Sequence, residues 1–132
     1  MSRVGHADSF RELVVYQKSR EEAKAIFEQS KSFPREETFS LTDQVRRSSR
    51  SVGAQIAEAW AKRRYEKHFI SKLTDADGEQ QETQHWVEVA EDCSYVTPER
   101  SSELCAQLCE IGRMLNSMIN KSNQFCGPST DH

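Results

Sequence analysis

The chain has 132 residues, with 18 basic and 21 acidic side chains, a net charge of −3, 36% hydrophobic and 30% charged residues, and only five glycines and three prolines. These figures describe one helix-rich domain with a single core and exclude a disordered chain. No apolar run nears the ~20 residues of a membrane-spanning helix, and a mildly acidic chain binds nucleic acid only through a local basic patch.

The first twelve residues, MSRVGHADSFRE, lack the apolar stretch of a signal peptide. The expected location is therefore cytoplasmic, with Cys93, Cys105, Cys109 and Cys126 as thiols. Residues 1–8 are read as a flexible N-terminus, 9–123 as one helical domain and 124–132 as a flexible tail. The first helix is expected from Ser9 to Ser30, capped by Asp8 or Ser9, with Phe10, Leu13, Val14, Ala23, Ile26 and Phe27 as its apolar stripe. Pro34 interrupts the pattern and favours an extended Phe33.

The second helix is expected from Leu41, with Ser40 as its N-cap and Asp43 in its first turn. Leu41, Val45, Val52 and Ile56 share a side. Many of its other residues are small, so a neighbour can approach closely; Gly53 costs about 1 kcal/mol of helix propensity, which tight packing would offset. The third helix spans about Glu66–Asp92. Phe69, Leu73, Ala76, Gln80, Thr83, Val87 and Ala90 follow the alternating steps of four and three that mark a bundle seam. The fourth starts at Thr97, a good N-cap followed by Pro98 and Glu99. Leu104, Leu108, Ile111, Leu115 and Met118 repeat the seam spacing. No segment alternates like a strand. The fold expected is all-α, an antiparallel up-down-up-down four-helix bundle.

Several stretches together resemble a known family. They are FRELVVYQKS (10–19), FPREETFSLTDQVRRSSRSV (33–52), QIAEAWAKRR (55–64), and FISKLTDADGEQQETQ (69–84) with Tyr95 after it. This combination is similar to the four-helix bundle proteins encoded in intervening sequences of 23S rRNA genes. The chain departs from the family's frequent SNIAEG, having Gln55 for Asn and Ala59 for Gly. The resemblance implies an antiparallel bundle that assembles as a homopentameric ring. A related accessory protein of diversity-generating retroelements is a basic pentamer that binds a reverse transcriptase and nucleic acid.

Between Thr42 and Arg64 lie Arg46, Arg47, Arg50, Lys62, Arg63 and Arg64, opposed only by Asp43 and Glu58. Guanidinium forks suit phosphate. Lys62, Arg63, Arg64 and Arg50 are the candidate nucleic-acid contacts, with a ring multiplying their effect. The competing reading is structural. Asp75, Glu79 and Glu82 form an acidic stripe on the third helix that would answer Arg46, Arg47 and Arg50 within one subunit or across a subunit interface, and Glu58 is a further ion-pair candidate. Cys105 and Cys109, four apart, lack paired metal-ligand spacing even with Cys93 or His85, so no metal or other cofactor is expected. No nucleophile motif or phosphate loop is present. Glu58 and Glu82 fit ion pairs better than acid/base catalysis, and the protein is expected not to be an enzyme. Trp60, Trp86, Tyr16 and Tyr65 are expected to pack in the core or between subunits, with no single-strand stacking platform legible. The leading expectation is a homo-oligomeric module for RNA or an RNA-handling protein; the alternative is a protein-interaction scaffold whose charged stripes pair with each other.

Overall fold

A computed structural model describes residues 7–127. Four helices, α1 (Val14–Ser30), α2 (Leu41–Ala61), α3 (Glu66–Asp92) and α4 (Pro98–Asn120), form an antiparallel up-down-up-down bundle, and no strand occurs among the described residues. Each helix packs on the next, and α1 closes against α4. The antiparallel register is visible in single contacts: Arg47 meets Glu82 near one end of the α2–α3 seam, and Glu58 meets Lys72 near the other.

The seams of α3 and α4 bury every residue expected of them: Phe69, Leu73, Ala76, Gln80, Thr83, Val87 and Ala90 on α3, and Leu104, Leu108, Ile111, Leu115 and Met118 on α4. In α2, Leu41, Val45, Val52 and Ile56 are likewise buried. Thr97 caps α4 by accepting a hydrogen bond from the Arg100 amide at 3.1 Å. Ser40 occupies the N-cap of α2 but makes no side-chain cap; its hydroxyl donates to the Glu37 carboxylate at 2.7 Å.

The first helix differs from expectation. Ser9 caps a single 3-10 turn, Phe10–Glu12, and Leu13 is extended before α1 begins. The stripe is rotated: Val14 is 54% exposed, while Val15, Ser19, Glu22, Ile26 and Ser30 face inward. Three of those five are polar, which hides the stripe from hydropathy. The C-terminal boundary also shifts. Ser122–Gln124 forms a 3-10 turn, and Phe125 is buried with its ring 5.7 Å from that of Phe69. The expected tail at 124–132 therefore starts with core-packed chain; residues 1–6 and 128–132 lie outside the described residues.

The core is divided by a polar layer. One apolar cluster includes Val15, Val52, Ile56, Trp60, Phe69, Leu73, Ile111, Leu115 and Phe125. Smaller clusters toward the other end include Ile26, Val45, Val87 and Leu104, then Leu41, Ala90 and Val96. Between them lie Ser19, Ser48, Ser49, Gln80 and Thr83, all buried. Thr83 and Ser48 share a hydrogen bond of 2.8 Å between α3 and α2. Glu22 sits at this level of α1, 2% exposed, with neither carboxylate oxygen hydrogen-bonded. Burial pushes its pKa up to about 8, against a smaller opposing pull from Arg100.

Small residues let the helices meet at this level. A Cβ placed on Gly53 would lie 3.1 Å from Ser19 Oγ, and one on Gly112 would lie 2.6 Å from Gln80 Nε2. Close α1–α2 packing therefore accompanies the propensity cost of Gly53.

The turn from α3 to α4 places Ser94 at φ 63°, the left-handed region that glycine favours. The Ser94 amide donates to the Glu91 carbonyl at 2.9 Å and the Tyr95 amide to the Ala90 carbonyl at 2.8 Å, a Schellman cap. Ser94→Gly is expected to raise stability by about 0.5–1 kcal/mol, read as a higher urea midpoint. An unchanged or lower midpoint would show that the serine side chain compensates its backbone strain.

Candidate nucleic-acid interface

The basic residues of α2 separate into groups with different surroundings. Arg47 points toward α3, where its guanidinium pairs with Glu79 at 3.3 Å and with Glu82. Glu82 also accepts a hydrogen bond from the Trp86 indole at 3.0 Å, and that bond, with help from Arg47, holds its pKa below the ordinary value. Such partly exposed pairs contribute at most about 1 kcal/mol each. Glu58 and Asp75 do not meet the arginines; both lie beside Lys72, at 3.3 and 3.9 Å.

Arg46 departs from the ion pairing expected of it. It turns to α1, donating from Nε to Ser30 Oγ at 2.7 Å, with its guanidinium 4.7 Å from the centre of the Phe27 ring. Arg50 lies 5.3 Å from the same ring, and Lys31 approaches it at 4.9 Å. Arg20 stands 5.9 Å from the Tyr16 ring, one turn further along α1. Among the described residues, no carboxylate lies within ion-pairing distance of Arg20, Arg46 or Arg50. Lys31 pairs with Glu28 at 3.2 Å.

The spacing explains the assembly. Tyr16, Arg20, Ala23 and Phe27 step by four, three and four along α1; Arg46, Arg50, Gly53 and Ala57 do the same along α2. Residues so spaced share a helix face. The two rows border one seam, and neither contains an acid. Arginines lying over aromatic rings keep their hydrogen-bonding edges available to an anion.

Where the side chains are smallest the seam opens into a groove of about 370 Å³. Phe10 and Tyr16 line one part of it, packed edge to face at 4.8 Å, and Arg20 and Arg50 line another. The sequence pointed to α2 alone and missed the α1 row. Its signal was present as an aromatic–arginine–alanine–aromatic repeat at helical spacing, but nothing in the sequence said which helix would face it.

The cluster after α2 is less uniform than its sequence suggests. Arg63 is half-buried, with its guanidinium 3.5 Å from the Trp60 ring centre and its Nε donating to the Trp60 carbonyl at 2.9 Å. Burial lowers its pKa. It closes the end of α2, whereas Lys62 and Arg64 are exposed. Of the other aromatics, Trp60 is buried, Trp86 and Tyr16 are half-buried, and Tyr65 is exposed beside His68.

Among the described residues, no group of three His, Cys, Asp or Glu side chains is placed to hold a metal ion. Burial pushes the Cys105 thiol up to about 11, which disfavours the thiolate. Cys109 lies 3.6 Å from Gln84 Oε1, and Cys93 is exposed. No described helix is long and apolar enough to cross a membrane.

Comparison with known proteins agrees with this architecture. A crystal structure of a protein of unknown function from the S23 ribosomal protein family, from Bacteroides thetaiotaomicron VPI-5482, superimposes with a TM-score of 0.72 at 34% identity, covering 80% of this chain and 98% of that one. No match was found among curated proteins. Residues 11–117, which hold all four helices but the last turn of α4, match the family described as 23S rRNA-intervening sequence protein. The chain belongs to that family.

Proposed function

We propose that the protein is a non-enzymatic, homo-oligomeric binding module that docks on the phosphates of RNA through the α1–α2 face. The observation that carries this reading is the row of Arg20, Arg50 and Arg46, held over aromatic rings with no carboxylate partner among the described residues. A net negative chain whose described residues place no carboxylate beside three arginines on one face concentrates its attraction for anions there. The polymer proposed is RNA because its closely spaced phosphates suit a row of arginines on one face. Assembly into a homo-oligomer would repeat the face and raise avidity. Phe39, 95% exposed in the α1–α2 connection, is a candidate contact for that assembly.

The test is binding of a labelled RNA hairpin across a salt series, with the oligomeric mass measured in parallel. Each phosphate contact contributes about 0.7–0.9 to the slope of log affinity against log salt. Replacing both Arg46 and Arg50 with Ala is expected to lower that slope by about 1.4–1.8 and to weaken binding at least tenfold at low salt, with helical content unchanged. Lys62→Ala is expected to do less. No binding at low salt, or an unchanged slope in the double variant, would overturn the assignment and leave the scaffold reading, for which the Arg47 pairs with Glu79 and Glu82 already speak.

A further inference from the structure

We propose that the groove between α1 and α2 takes an unpaired nucleotide, its base lying against Tyr16 and its phosphate between Arg20 and Arg50, so that the protein selects single-stranded or bulged RNA over duplex. This inference rests on the phosphate-docking reading above and adds a ligand class to the same face.

Three features carry it. The first is shape. Ser19 and Gly53 close the floor of the seam, while the small Ala23 on α1 and Ala54 and Ala57 on α2 leave it open above, and the groove's 370 Å³ falls at the lower end of the size range of small-ligand sites, about 300–1,000 Å³. The second is an aromatic surface at the groove. Tyr16 is half-buried and braced edge-on by Phe10 at 4.8 Å, so its position is fixed without a ligand. A braced ring stacks on a base at little entropic cost. The third is what lies beyond the groove. From Arg20 and Arg50 the positive charge continues along the seam to Arg46, beside Phe27. A free nucleotide would use only the first of these groups. A strand presents phosphate after phosphate, and its charge matches the row.

The floor adds polar acceptors. Ser19 donates its hydroxyl to the Tyr16 carbonyl at 2.6 Å and Ser49 to the Arg46 carbonyl at 3.1 Å, leaving oxygen lone pairs available. A paired base inside a duplex presents no face to such a groove. An unpaired base does.

The experiment compares two probes on the full chain, a twelve-nucleotide single-stranded RNA and a hairpin whose stem is fully paired and whose loop is a base-free ethylene glycol linker. Three variants are made. Tyr16→Leu removes the stacking ring, Tyr16→Phe retains it, and Ala54→Leu fills the groove from its exposed rim without removing any packing. The single strand is expected to bind more tightly than the hairpin. Tyr16→Leu and Ala54→Leu are each expected to weaken the single strand about tenfold, as for the loss of one base–aromatic stack, and to leave the hairpin unaffected. Tyr16→Phe is expected to bind like the wild type. If both probes bind equally and the variants change neither, while loss of Arg46 and Arg50 weakens both, the nucleotide pocket is wrong and phosphate docking stands. If neither probe binds at low salt, both readings fall.

Discussion

Stability is expected to decline as pH rises from about 4.5 to about 8, and Glu22→Gln is expected to abolish that decline. In the unfolded chain Glu22 titrates near its ordinary value of 4.5; in the folded protein burial keeps it protonated up to about 8. Between these values the native state holds a proton that the unfolded state has released. The stability this proton supports is complete below the lower pKa and is lost as pH rises through the upper one. A shift of this size corresponds to several kcal/mol, at about 1.4 kcal/mol per pH unit.

Arg100 offsets only part of the burial effect. Glutamine has no charge to expose, so its thermal midpoint should stay level across the window and exceed that of the wild type at about pH 8. Glu37 and Glu82 titrate below their ordinary value, Glu37 mainly through its bond with Ser40 and Glu82 mainly through Trp86. Their contributions are lost only as pH falls below the carboxylate range, which keeps the two effects apart. A wild-type midpoint that is flat from pH 5 to 8 would mean that Glu22 reaches water or a partner.

Phe69→Ala is expected to cost about 3–5 kcal/mol. Phe69 is fully buried in the larger apolar cluster and stacks on Phe125. Its removal leaves a cavity between α3 and the segment after α4, where helix backbones cannot close in. For a domain of this size the loss corresponds to a fall of roughly 10–20 °C in Tm. Phe125→Ala removes the other half of the stack and is expected to cost more than about 2 kcal/mol by the same mechanism. If Phe69→Ala is severe and Phe125→Ala neutral, the C-terminal segment does not contribute to the core in solution.

The bundle was legible wherever apolar residues mark the inward face. The seams of α3 and α4 follow the four-three spacing without a break, and Gln80 and Thr83 sit within them because their flanking residues set the phase. In α1, Ser19, Glu22 and Ser30 occupy three inward positions, so the expected stripe met the inward face at Leu13 and Ile26 and left it at Val14, which is exposed. Phe125 was hidden by the polar residues before it and the Gly–Pro pair after it, which read as the end of structure.

The candidate site was half legible. Composition identified the arginines of α2, but adjacent residues on a helix diverge by about 100°. That rotation sends Arg47 to the acids of α3 and Arg46 to the aromatic ring of α1. Which neighbour each arginine meets is a property of the packed bundle. The same holds for Arg63, whose position beside Trp60 turns an apparent surface charge into part of a helix end.

The Ser48–Thr83 hydrogen bond gives the bundle a register mark. Apolar seams are permissive: a slide of one turn along α2 would still set Leu, Val and Ile against one another. It would also bring Thr83 opposite Val45 or Val52 and separate the two hydroxyls. A few polar atoms at mid-height thus make one alignment of otherwise interchangeable apolar layers preferable to its neighbours. The two rows that form the α1–α2 face keep their alignment in the same way, since Gly53 admits Ser19 at only one height.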